Sequence, residues 1–131
     1  MKLFDQTLQL LERSLDTRLE RHNVLASNLA NADTPGFQPR DVDFATAMQN
    51  AVADIASNAH AGEPGQSLKR PPLPTVVGRM AGAAAGIDGN TVDADRTLVS
   101  LAENGLQYGA SAKVAAKKLA ILRYVASDGN S

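Results

Sequence analysis

Phe4, Leu8, Leu11, Leu15, Leu25 and Leu29 recur at alternating steps of four and three along the start of the chain. That spacing places them on one face of a helix and describes a coiled-coil seam, which needs a long helical partner to cover it. Arg18 and His22 hold the two positions that complete the series, with Leu19 beside them as a partial substitute. A helix from Phe4 to about Asn31, at roughly 1.5 Å per residue, is a rod of about 42 Å. Such a rod is too long to bury inside a small globule.

The C-terminal segment answers it. A helix is expected to start near Asn90-Thr91, where either side chain could cap it, with Asp93 and Asp95 in its first turn. It is expected to stop at Ser127-Asp128-Gly129, where Gly129 suits the left-handed cap position. Its seam reads Leu98, Leu101, Gly105, Tyr108, Ala112, Ala115, Leu119, Leu122 and Ala126. The small residues near the middle would let another backbone approach closely, and Ala112 and Ala115 mark the expected closest approach. Gly105 and Gly109 also weaken the helix, by about 1 kcal/mol each relative to alanine. A second apolar row, Val99, Leu106, Ala110, Val114 and Ile121, lies on a different face. Two rows call for neighbours on two sides, either in a buried bundle or in an assembly of many copies. The matching spacing of Leu8, Leu11 and Leu15 with Leu119, Leu122 and Ala126 predicts that the terminal helices pack against each other.

The fold class that follows is all-α. Long N- and C-terminal helices pair as a coiled-coil-like hairpin, with a short helix and an irregular, partly extended segment between them. The expected divisions are 1–36 for the first axial helix and its turn, 37–58 for an extended segment and short helix, 59–89 for a flexible Pro/Gly-rich loop, and 90–131 for the second axial helix. Within the second division Phe37-Gln38-Pro39-Arg40 reads as extended. The short helix carries Phe44, Met48, Val52 and Ile55 as its apolar stripe, with Ala51 beside it. Glu63-Pro64-Gly65-Gln66-Ser67 and Arg70-Pro71-Pro72-Leu73-Pro74 are turn and polyproline chemistry.

Composition narrows the functions. Of the 131 residues, 4% are aromatic and none is Trp, so a dense single core has few large side chains to build on. A formal charge of −1 gives no electrostatic case for nucleic acid. Two histidines and no cysteine argue against a structural metal centre. Ser14, Ser27 and Ser100 sit within helices, outside any Gly-x-Ser-x-Gly elbow, and phosphate and dinucleotide loops are missing. The stretch from Asp88 to Asp95 fails as a calcium loop, because Val92 and Asp93 stand where an oxygen ligand and a glycine are required. Arg18, Glu20 and Arg21 read as a solvated face. No catalytic, cofactor-binding or metal site is expected, and no small-molecule substrate. Met1-Lys2-Leu3-Phe4-Asp5 lacks the pattern of a cleaved secretory signal.

The first helix stops abruptly in Asn28-Leu29-Ala30-Asn31-Ala32-Asp33-Thr34-Pro35-Gly36. Thr34 is pushed towards extended backbone by the following proline. Pro35 presets the first corner of a turn, and Gly36 can take the positive φ of a type II second corner. This segment, with Arg40-Asp41-Val42-Asp43-Phe44 after it, resembles the rod, hook and filament proteins that form the axial structures of the bacterial flagellum. The motif positions carrying the likeness are Asn28, Asn31, Asp33, Thr34, Pro35 and Gly36. A second block, Gly89-Asn90-Thr91-Val92-Asp93 with Ala102-Glu103-Asn104 and Tyr108, is similar to the C-terminal helix of the proximal rod members. Phe37 stands where those proteins usually have tyrosine.

The resemblance implies a structural subunit of the proximal rod, the shaft carrying torque across the periplasm. It implies export through the flagellar type III apparatus without a cleaved signal. The partners it implies are other copies of the chain, rod proteins such as FlgC, and FliE with the flagellar export gate. Leu8, Leu11, Leu15, Leu25, Leu29, Leu98, Leu101, Tyr108, Ala112, Ala115, Leu119 and Leu122 are the expected subunit-interface residues. The competing reading keeps the helices and drops the flagellum, making the chain a soluble cytoplasmic coiled-coil adaptor or chaperone.

Overall fold

The computed structural model describes residues 2–60, 77–79 and 86–127. Three helices carry it: α1 (Lys2–Ala30), α2 (Phe44–His60) and α3 (Ala94–Ala126). Two short strands, β1 (Arg40–Asp41) and β2 (Val77–Arg79), form an antiparallel ladder pairing Arg40 with Arg79 and Asp41 with Val77 across an irregular register. The protein is all-α apart from this ladder.

The dominant contact is α1 against α3, with α2 laid on α1. The pair is antiparallel and its register is pinned in the middle, where the Asn104 side-chain amide donates to the Arg18 carbonyl at 2.8 Å. Antiparallel helices step in opposite directions, so seven residues on from Arg18 lies Leu25 and seven back from Asn104 lies Thr97. Leu25 and Thr97 are both fully buried. The expected hairpin of terminal helices is present.

The face of α3 turned to α1 differs from the apolar seam. Its two buried residues are Thr97 and Asn104, and Ser100, Leu101, Ser111, Ala112, Ala115, Lys118 and Leu122 are half-buried. Leu101, Ala112, Ala115 and Leu122 belong to both lists. Leu98 and Leu119 instead stand about half exposed, at 48% and 55%, and Tyr108 is exposed. The helix is rotated by about one residue from the purely apolar reading, because the Asn104 amide is held by the Arg18 carbonyl of α1, while Thr97 satisfies its hydroxyl on the Asp93 carbonyl at the start of its own helix. Gly105 and Gly109 meet nothing within 4 Å of where a Cβ would stand, so within the chain neither marks a close approach. On α1, Leu8, Leu11, Leu15 and Leu29 are half-buried, while His22 lies outside the seam, exposed.

The buried hydrophobic side chains among the described residues are Leu25, Val42 and Ala51. On α2 the buried residue is therefore Ala51, flanked by half-buried Phe44, Met48 and Ile55, while Val52 faces outward. α2 runs three residues past the expected stop at Ser57. The segment expected as a loop over 59–89 falls largely outside the described residues, as does Gly129 with its expected cap. Helix α3 ends on Ser127, whose N–H reaches the Arg123 carbonyl.

Candidate functional site

The two sequence blocks that carry the family likeness meet in space. After Ala30 the chain turns through Asn31 to Phe37, and the Phe37 N–H closes a turn on the Thr34 carbonyl at 3.2 Å. Thr34, Pro35 and Gly36 occupy its first three positions, and Gly36 has φ +72°, the left-handed value a type II turn needs there. The Asn31 side chain bonds back to the Ser27 carbonyl and accepts the Thr34 hydroxyl, fixing the helix end to the turn.

Residues 86–92 strap across this turn. The Gly36 N–H donates to the Asp88 carbonyl at 3.0 Å, and the Thr91 N–H donates to the Phe37 carbonyl at 3.2 Å. Gly89, with φ +76°, sits back to back with Gly36: a Cβ on Gly89 would lie 3.7 Å from the Gly36 Cα. Between them the buried Asn90 amide points at three carbonyls, those of Asn31 (3.1 Å), Ala32 (2.6 Å) and Thr34 (2.9 Å). Its oxygen accepts the Val92 N–H at 2.7 Å. These carbonyls follow Ala30, the last residue of α1, so Asn90 holds the turn after the helix from a distant part of the chain. It does not cap the start of α3. That start is capped by Asp93, which accepts the Arg96 N–H at 3.0 Å.

A second joint lies beside it. The Asn28 amide donates to the Arg40 carbonyl at 2.6 Å and accepts the Arg40 N–H at 3.0 Å. It serves β1 as a neighbouring strand would. Next to it Arg21 grips Asp41 through two bonds, Nε at 2.7 Å and Nη2 at 2.8 Å, a forked geometry worth more than a single surface pair. The bond to Asp41 raises the Arg21 pKa, and Glu103 of α3 adds attraction. Arg18 lies 4.1 Å from the centre of the Phe44 ring and bonds Gln107; burial, and then the charge of Arg21, lowers its pKa. Arg18 and Arg21 are thus joints between elements and not a solvated face. The arginines pass for surface residues in sequence because their partners lie 20 or more positions away.

Asn28, Asn90 and Asn104 each join two elements through main-chain atoms. The motif positions Asn28, Asn31, Thr34 and Gly36 all take part in these joints, whereas Asp33 and Pro35 are exposed on the turn. The outer face of α3 is the other unusual surface. Val99, Leu106, Val114 and Ile121, the second row read from the sequence, are all exposed, and Leu106 is 77% exposed. Tyr124 and Val125 extend the apolar surface towards the end of the helix.

These joints hold two long helices side by side and leave apolar rows exposed on α3. Residues 8–38 match the family described as "Flagella basal body rod protein". The chain is 34% identical over 135 residues to the flagellar basal body rod protein FlgB of Escherichia coli (strain K12), covering 96% of each. It is 31% identical over 137 residues to the FlgB of Salmonella typhimurium, again 96% of each. The FlgB of Yersinia ruckeri is 34% identical over 113 residues, 79% of this chain and 81% of that one. The chain belongs to the flagellar basal body rod protein family. This is a family of structural proteins and not of enzymes, and the chain is a structural component of the rod. No helix among the described residues is long and apolar enough to cross a membrane.

Proposed function

We propose that this chain polymerises through α1 and α3 into the proximal rod, the shaft that transmits torque across the periplasm. The observation that carries this reading is the outer face of α3. Thirty-three residues of helix leave Leu98, Val99, Leu106, Val114, Leu119 and Ile121 exposed, a larger apolar surface than a monomer keeps open without a partner. The interface then combines the outer row with Leu98, Tyr108 and Leu119, while Leu25 and Leu101 hold the hairpin that presents them. Neighbours are further copies, rod proteins such as FlgC, and FliE at the export gate. The few buried apolar side chains among the described residues support a subunit whose terminal helices order fully only when neighbours cover them.

The test is fractionation. The protein should be found in sheared, detergent-washed basal bodies and be absent from them in an export-defective strain. Recovery from the cytosol alone would point to the adaptor.

A further inference from the structure

We propose that the Asn104–Gly105 peptide is a self-modification site, shut while α3 is paired with α1 and open when it is not. The reaction is loss of the Asn104 side-chain amide. The Gly105 main-chain nitrogen gives its proton to solvent and attacks the Asn104 side-chain carbonyl carbon. The carbon–nitrogen bond of the amide breaks and ammonia leaves. The five-membered imide that remains is opened by water to aspartate or isoaspartate.

Three observations converge on this dipeptide. First, of the eight asparagines in the chain, Asn104 alone precedes glycine. The absence of a side chain on the following residue leaves its nitrogen free to swing onto the asparagine. Second, both reacting groups are locked in the folded hairpin. Asn104 is 1% exposed, with its amide nitrogen bonded to the Arg18 carbonyl at 2.8 Å. Gly105 lies in mid-helix, where its N–H is committed to the preceding turn and the backbone cannot adopt the angles of the ring. Third, the fold gives no reason for glycine here. A Cβ would meet nothing within 4 Å, and glycine costs the helix about 1 kcal/mol relative to alanine.

The location decides the consequence. Aspartate would set a carboxylate against the Arg18 carbonyl, two acceptors facing each other in a buried site. Isoaspartate would add a main-chain atom that the helix cannot accommodate. Either product removes the bond that pins the register of α1 against α3. A subunit left unpaired therefore loses, irreversibly and with time, its ability to pair, and a paired one is preserved. The inference rests on the hairpin and not on the rod assignment, so the two fail separately.

The experiment follows the full chain by peptide mass and by isoaspartyl methyltransferase labelling, at one neutral pH and temperature. It is held in urea, and in trimethylamine N-oxide, an osmolyte that favours the compact state. In urea, Asn104 should convert about tenfold faster than Asn31 or Asn90, and in the osmolyte its rate should fall by about tenfold or more, following the fraction of open helix. Gly105→Ala should slow the reaction at Asn104 in urea to about the rate of Asn31, which also precedes alanine in the chain. Converted chain should fail to regain helix in the osmolyte. Equal rates in the two solvents, or an Asn104 no faster than Asn31 in urea, would overturn the proposal.

Discussion

Replacing Leu106 separates folding from assembly, because the residue is 77% exposed in the subunit. Full burial of a leucine side chain is worth about 1.5–3 kcal/mol, so roughly three quarters of that, about 1–2 kcal/mol, is left for a neighbour to supply. Leu106→Ala should therefore weaken each contact made there by about 5- to 30-fold. Leu106→Asp should do more, since it would place an unpaired carboxylate in that contact at a cost of several kcal/mol. Within the subunit the same change removes little packing, and the loss of helix propensity is below about 1 kcal/mol. Two measurements are needed on the same variants: helix content of the free protein by circular dichroism, and recovery in washed basal bodies alongside swimming. The expected pattern is unchanged helix content, reduced recovery for alanine and none for aspartate. Wild-type recovery of Leu106→Asp would refute the assignment of this face as an interface. A collapse of helix content in the free protein would show that the face is covered within the subunit.

The Asn90 joint gives a pH test. In Asn90→Asp a carboxylate would face the three carbonyls, raising its folded pKa above the unfolded value of about 3.9. Stability of that variant should be fully present below the unfolded value and lost as pH rises through the raised one. Thermal melts that do not change with pH would be inconsistent with the geometry. Gly36→Ala should cost about 1–2 kcal/mol from the left-handed backbone alone, since the space around it is open, and Gly36→Asn should cost less by urea titration. Asp43 caps α2: the Thr46 N–H, and then its hydroxyl, hold the carboxylate below its usual range. A depressed folded pKa means this support is present above the unfolded value and lost as pH falls through the folded one. Amide protection over 44–48, measured against the intrinsic exchange rate at each pH, should thus fall in acid, and Asp43→Asn should abolish that dependence.

Much of this architecture was legible. Steps of three and four located both long helices, and the Thr34-Pro35-Gly36 turn came out with the backbone its residues demand. The rotation of α3 was not, because apolar counting favours Leu98 and Leu119 over Thr97 and Asn104. Those polar residues win the inner face through bonds to main-chain atoms, which hydropathy does not register. The ladder of β1 with β2 was missed for a similar reason, since strands of two and three residues carry no alternation. Capping rules favour local partners and so offer Asn90 or Thr91 to the nearby helix start, whereas the three acceptors of Asn90 lie 56 to 59 residues away. The paired positions of the two motif blocks offered the one available hint.

The antiparallel setting of α1 and α3 has an electrical consequence. Each helix carries a macrodipole equivalent to about half an elementary charge at either end, and here 29 and 33 residues of helix point in opposite directions. The positive end of each lies beside the negative end of the other, so the hairpin has little net axial moment. Subunits stacked end to end along a shaft would then neither attract nor repel one another through their backbones. Any salt dependence of that stacking would have to come from side chains such as Lys113, Lys117 and Arg123, whose charges can be exchanged one at a time.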